Sequence, residues 1–129
     1  MSGDSRVGAV LYAQDLDRVA AFYSAVLGLE TAGRDDEHVV LESPGFQLVV
    51  LRSRGQASTA PIAVPPVRRA DAAFKPVFFV PSIAQVRASA ETLGGVLNGP
   101  EKEWRFDGWK VCDGLDPEGN IVQFRERAS

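Results

Sequence analysis

One histidine, His38, and one cysteine, Cys112, leave this chain few routes to covalent or metal chemistry. Any Ser-His-Asp or Cys-His arrangement would have to use His38, which reads as a solvated or edge-strand residue. Neither a Gly-x-Ser-x-Gly elbow nor a phosphate-cradling glycine loop accompanies it. Cys112 alone permits no internal disulfide and no thiolate metal site, and reads as a small strand residue. Asp113, Asp116, Glu118 and Asn120 lie close together but not at the spacing of a calcium loop, so a polar hairpin turn explains them. What remains is a set suited to recognition. Tyr12, Glu42, Gln47, Lys75, Gln123 and Arg125 supply polar groups, and Phe79, Trp104 and Trp109 supply ring area for a planar ligand.

The composition is that of one soluble globular domain: 129 residues, 45% apolar and 24% charged. A net charge of -3 argues against a nucleic-acid partner, which would call for a basic excess. No apolar run approaches the roughly 20 residues of a membrane span, and residues 1–6 hold no apolar leader. No membrane partner is expected, and the expected location is cytoplasmic.

These side chains need elements to position them. Asp15 is placed to cap a helix on which Leu16, Val19, Ala20, Tyr23, Val26 and Leu27 recur at helical spacing, with Gly28 at its end. Residues 7–13 before it read as a strand. Residues 30–34, 38–42 and 46–52 after it read as three more, the last two separated by Ser43-Pro44-Gly45. The order then recurs. Residues 74–80 read as a strand and Ser82 as an N-cap. Ile83, Val86, Ala90 and Leu93 mark a helix stopped by Gly94-Gly95, and 96–99, 109–113 and 120–126 read as strands.

Asp15 maps onto Ser82, and Gly28 onto Gly95, by one shift of 67 residues. The repeat is one of pattern, and two βαβββ halves sharing a sheet account for it, because neither could bury its apolar face alone. A single domain, 1–129, is expected, with modules at 7–52 and 74–126 and a connection at 53–73. That connection carries Pro61, Pro65, Pro66 and Arg68-Arg69, and reads either as an ordered linker or as an arm embracing a second subunit.

The segment from Tyr12 to Tyr23 with Val26-Leu27-Gly28-Leu29-Glu30, and the stretch Leu115-Asp116-Pro117-Glu118-Gly119-Asn120-Ile121-Val122-Gln123-Phe124, carry a family resemblance. They resemble the first module and the closing hairpin of the vicinal oxygen chelate superfamily, which holds glyoxalase I, extradiol dioxygenases, fosfomycin-resistance enzymes and bleomycin-binding proteins. The likeness implies an α+β fold in which two βαβββ modules form a curved mixed sheet around a cavity. Members with metal chemistry place His, Glu, His and Glu on four cavity-facing strands. The matching positions here are Gly8, Val49 (with Gln47 the nearest polar neighbour), Lys75 and Gln123. Glycine and valine offer no donor, and lysine puts a cation where a dication would sit, so no metal and no cofactor is expected. Relatives form their cavities at a two-fold dimer interface, which implies a homodimer.

With Gly8 facing the cavity, alternation turns Val10 and Tyr12 the same way and Ala9 and Leu11 onto the helix. In the second half Lys75, Val77, Phe79, Ile121, Gln123 and Arg125 face in, while Phe78 and Val80 lie beneath the helix. Lys75 and Arg125 either serve the cavity or reach to its rim. Trp104 and Trp109 fall on the loop and strand that help form the groove of bleomycin-binding relatives. They either stack on a ligand or anchor the loop and the sheet.

The ligand-binding set is thus Tyr12, Gln47, Val49, Lys75, Phe79, Trp104, Trp109, Gln123 and Arg125. The expected function is metal-independent binding or sequestration of a small organic molecule, as in antibiotic-binding resistance proteins. The alternative is a glyoxalase-type lyase or isomerase, or a dioxygenase-family enzyme, acting on a small carbonyl or aromatic substrate. In that reading Lys75 is the electrophilic stabiliser and Tyr12 or Glu42 the acid–base partner. A metal enzyme with the atypical ligands Gln47, Gln123 and His38 is a third possibility.

Overall fold

The computed structural model describes residues 7–54 and 61–129. Residues 1–6, read above for a leader, and residues 55–60 of the connection lie outside the described residues. The chain divides into two compact units, Met1–Ile62 and Ala63–Ser129. Strands that the repeat assigns to one common sheet are hydrogen-bonded as two, one sheet in each unit.

Unit 1 runs β1 (Val7–Ala13), α1 (Leu16–Leu27), β2 (Glu30–Arg34), β3 (His38–Ser43) and β4 (Phe46–Arg52). Its sheet order is β1-β4-β3-β2, with β1 parallel to β4 and the other pairs antiparallel. The helix begins where Asp15 Oδ1 accepts the Arg18 N–H at 3.2 Å, and it stops at Gly28, whose φ of 66° is left-handed. Its stripe of Leu16, Val19, Ala20, Phe22, Tyr23 and Val26 is buried, as are Val39, Leu41, Leu48 and Val50 of the sheet. Burying each larger apolar side chain contributes on the order of 1.5–3 kcal/mol, which makes this face the stabilising core of the unit.

Unit 2 runs β5 (Val77–Phe79), α2 (Ile83–Thr92), β6 (Val96–Leu97), β7 (Trp104–Phe106), β8 (Trp109–Leu115) and β9 (Ile121–Arg127). The sheet order is β5-β9-β8-β6, with β7 also pairing β8. Ser82 Oγ caps α2 by accepting the Gln85 N–H at 3.1 Å. Ile83, Val86 and Ala90 of α2 are buried together with Leu97, Cys112, Val122 and Phe124 of the sheet.

Two expectations are corrected here. The strand over 74–80 is shortened to Val77–Phe79, because Pro76 has no N–H to give a ladder, although its carbonyl still accepts from Gln123 N at 2.9 Å. Trp104 stands on a strand, not a loop. Asp107 and Gly108, at φ 51° and 83°, form the two-residue turn of a β7–β8 hairpin, the type I′ geometry that Asp-Gly favours. The closing hairpin is polar for the expected reason. Asp116 is fully buried, and its carboxylate accepts the N–H groups of Glu118 and Asn120 and the Asn120 side-chain amide at 2.8–3.0 Å.

Candidate functional site

Each sheet lays one face against a helix and leaves the other free of it. On the helix-free face of unit 1, cross-strand partners form three rows: Gly8–Gln47–Glu42–Glu30, Val10–Val49–Val40–Gly33, and Tyr12–Leu51–His38. Tyr12, Gln47 and Val49 are therefore together on one surface. Gln47 Nε2 donates to Glu42 Oε2 at 2.6 Å. His38 opens β3, an interior strand rather than an edge, and its Nδ1 lies 2.9 Å from Asp35 Oδ1.

The helix-free face of unit 2 gathers the other six residues. Its rows are Val96–Leu115–Ile121, Val77–Gln123–Asp113 and Phe79–Arg125–Val111–Trp104, followed by Phe106–Trp109–Arg127. A continuous polar chain crosses it. Lys75 Nζ donates to Asp113 Oδ2 at 2.9 Å, Gln123 Nε2 to Asp113 Oδ1 at 3.0 Å, and Arg125 Nε to Gln123 Oε1 at 2.8 Å. Lys75 precedes the strand and reaches Asp113 along its stem, with its side chain 39% exposed.

Beside the chain lies an aromatic strip. The Phe79 and Trp109 rings meet edge to face with centroids 4.7 Å apart. The Arg125 guanidinium sits 5.1 Å from the Phe106 ring and 5.8 Å from Phe79, and Arg127 sits 4.3 Å over Trp109. Such contacts stiffen the cations against the rings.

Sequence reasoning missed three members of this face: Asp113, Phe106 and Arg127. Asp113 closes the strand read over 109–113 and also joins the polar-turn cluster with Asp116, Glu118 and Asn120, and alternation back from Val111 and Trp109 puts it on the same side. Phe106 follows from the Asp-Gly turn, which pairs it with Trp109.

The positions that the resemblance assigns to metal ligands do not fit a metal. Val49 lies beside Val10 as Gln123 lies beside Val77, which fixes the uncertain register on valine rather than Gln47. Gly8 has no donor, Lys75 brings a cation, and both ends of the Gln123 amide are engaged. The atypical set fares no better within unit 1, since His38 and Gln47 stand two rows apart on its sheet. Among the described residues, no three His, Cys, Asp or Glu side chains gather. Cys112 is fully buried, its Sγ donates to Asn98 O at 3.3 Å, and burial pushes its thiol pKa up despite the nearby Arg87. It is a packed residue rather than a nucleophile.

Two βαβ-based units, each with a helix on one sheet face and the other face free of it, are those of the glyoxalase/bleomycin resistance fold. The chain belongs to the glyoxalase-like domain family, whose pattern matches residues 8–124. Similar solved structures include a glyoxalase/bleomycin resistance protein/dioxygenase family enzyme from Burkholderia phytofirmans PsJN. It is 16% identical, with a TM-score of 0.67 and coverage of 93% of this chain and 96% of that one. A bleomycin-binding protein complexed with bleomycin is 17% identical, with a TM-score of 0.61 and coverage of 95% and 98%. Lactoylglutathione lyase from Agrobacterium tumefaciens is 26% identical, with a TM-score of 0.59 and coverage of 95% and 92%. No curated protein matches the sequence. Among the described residues, no helix is long and apolar enough to cross a membrane.

Proposed function

We propose that the protein binds a small organic molecule without a metal, on the helix-free face of unit 2, and acts as a sequestering or carrying protein. The observation that carries this reading is the Lys75–Asp113–Gln123–Arg125 chain set against Phe79, Phe106, Trp104 and Trp109. Gln123 and Lys75 serve that chain where a metal enzyme would need free ligands. Trp104 is 42% exposed and Phe79 59%, so the rings offer area to a planar partner. The bleomycin-binding neighbour supports a binding role for this fold. The test is titration of planar anionic compounds against tryptophan fluorescence, with native mass spectrometry of freshly purified protein to detect retained metal or ligand. Stoichiometric metal surviving dialysis would sink the metal-free reading.

A second reading is lyase or isomerase chemistry of the glyoxalase type, supported by the likeness to lactoylglutathione lyase. Turnover assays separate the two, because a pure binder returns its ligand unchanged. We also propose a cytoplasmic homodimer. Val10 and Tyr12 on unit 1 are 56% and 65% exposed, more apolar surface than a lone sheet face needs to show water. Light scattering at micromolar concentration giving the mass of one chain would refute the dimer.

A further inference from the structure

Beside the row Val96–Leu115–Ile121, unit 2 holds a hollow of about 320 Å³. Those three side chains make its apolar floor, and Arg68, Asn98, Lys102 and Asp113 supply its polar wall. Arg68 comes from the connecting segment, and the closing hairpin holds that segment in place. Arg69 N donates to Gly119 O at 2.9 Å, and Arg69 Nε donates to Glu118 O at 3.0 Å. Gly119 has φ of 85°, and a Cβ there would overlap the Val67 carbonyl oxygen, so only glycine lets the segment lie this close. Lys102 ends the short 3₁₀ turn Pro100–Lys102. Neither Arg68 nor Lys102 has an ion-pair partner among the described residues. Asp113, the one carboxylate in the lining among the described residues, has both oxygens engaged by Lys75 and Gln123.

We propose that this hollow binds a phosphate monoester. The dianionic head lies between Arg68 and Lys102, and the organic part rests on Leu115 and Ile121. Arginine offers forked donors and lysine a point charge, which together match a tetrahedral dianion, whereas a carboxylate would leave one cation uncompensated. The volume is at the low end for small-molecule sites, which restricts the organic part to a small group. The site goes beyond the proposed function, since it needs no ligand on the aromatic strip.

The test titrates phenyl phosphate, benzoate and inorganic phosphate into the full chain at low salt, by calorimetry. Phenyl phosphate is expected to fill one saturable site per chain that Arg125→Met leaves intact, and to bind there at least tenfold tighter than benzoate or inorganic phosphate. Arg68→Met and Lys102→Met should each weaken it tenfold or more, and the exposed control Arg105→Met should change it less than twofold. Gly119→Ala should weaken it as well by displacing Arg68, with circular dichroism reporting whether that variant folds; if it does not, the two cation variants decide. No saturable binding to the wild type, equal binding by both cation variants, or benzoate binding as tight as phenyl phosphate would each overturn the proposal. A loss in Arg125→Met with none in Arg68→Met would overturn it too, by moving the head to the aromatic strip. Failure of the proposed function would show instead as tryptophan variants that leave planar-anion binding unchanged.

Discussion

The row Gly8–Gln47–Glu42–Glu30 of unit 1 has its topological counterpart in Ile121–Leu115–Val96 of unit 2. Val10–Val49–Val40 corresponds to Val77–Gln123–Asp113, and Tyr12–Leu51–His38 to Phe79–Arg125–Val111. In the first two pairs of rows, Val10 and Val77 apart, one unit is polar where the other is apolar. The helix-facing sides show no such inversion, since Val39, Leu48 and Val50 answer to Cys112, Val122 and Phe124. Burial demands apolar side chains wherever a helix must pack, so that face repeats. The other face is free to differ. Glu30 and Glu42 make the first unit's face acidic, whereas Lys75, Arg125 and Arg127 outnumber Asp113 on the second. On the proposed function, a planar anion is directed to unit 2.

The largest expected effect separates buried from free faces. Phe124→Ala should cost about 3–5 kcal/mol of stability by denaturant titration, because Phe124 is fully buried and its removal leaves a cavity. Phe79→Ala, on the free face of the same sheet, should cost less than about 1 kcal/mol. Equal losses would break the distinction between the faces. Next comes the contrast between units: Trp109→Ala should weaken a bound planar anion by on the order of 1–3 kcal/mol, a scale borrowed from base–aromatic stacking. Tyr12→Ala on unit 1 should leave that affinity unchanged.

Smaller still is the effect of giving unit 2 the aliphatic middle row of unit 1. The double variant Asp113→Val, Gln123→Val removes both partners of one hydrogen bond and leaves the partly exposed Lys75 and Arg125 to water, so stability should move by no more than about 1 kcal/mol while planar-anion binding falls. Lys75→Met alone should cost below about 1 kcal/mol, since its pair with Asp113 is partly exposed.

The sequence made legible what local rules control. Asp15, Gly28 and Ser82 cap the helices as their types require, and alternation placed Gln123 and Arg125 on the same side as Phe79. It failed where a distant partner decides. Asp113 reads as a turn residue until Lys75 and Gln123, 38 and 10 residues away, converge on it. Arg68 in a proline-rich connection has no local signature, because its place depends on the absence of a side chain at Gly119. Trp104 reads as a loop residue until the Asp107-Gly108 turn pairs its strand with β8.

The smallest expected effect lies in the β2–β3 loop of unit 1, where a carboxylate and the lone histidine meet. Asp35 Oδ1 accepts the N–H of Glu37 at 2.8 Å and of His38 at 2.9 Å, and lies 2.9 Å from His38 Nδ1. The Glu37 N–H foremost, with His38, holds the Asp35 carboxyl below its ordinary value of 3.8. A carboxylate with a lowered folded pKa binds fewer protons folded than unfolded. Its contribution is therefore present above pH 3.8 and lost as pH falls through the folded value. Asp35→Asn should lower the melting temperature slightly at pH 7, and the gap from wild type should close as the pH is taken below 4. Full solvent exposure keeps the effect small. A gap that persists in acid would mean that Asp35 acts through hydrogen-bond geometry alone, and that the acidic character of the first unit contributes nothing to holding its own loop.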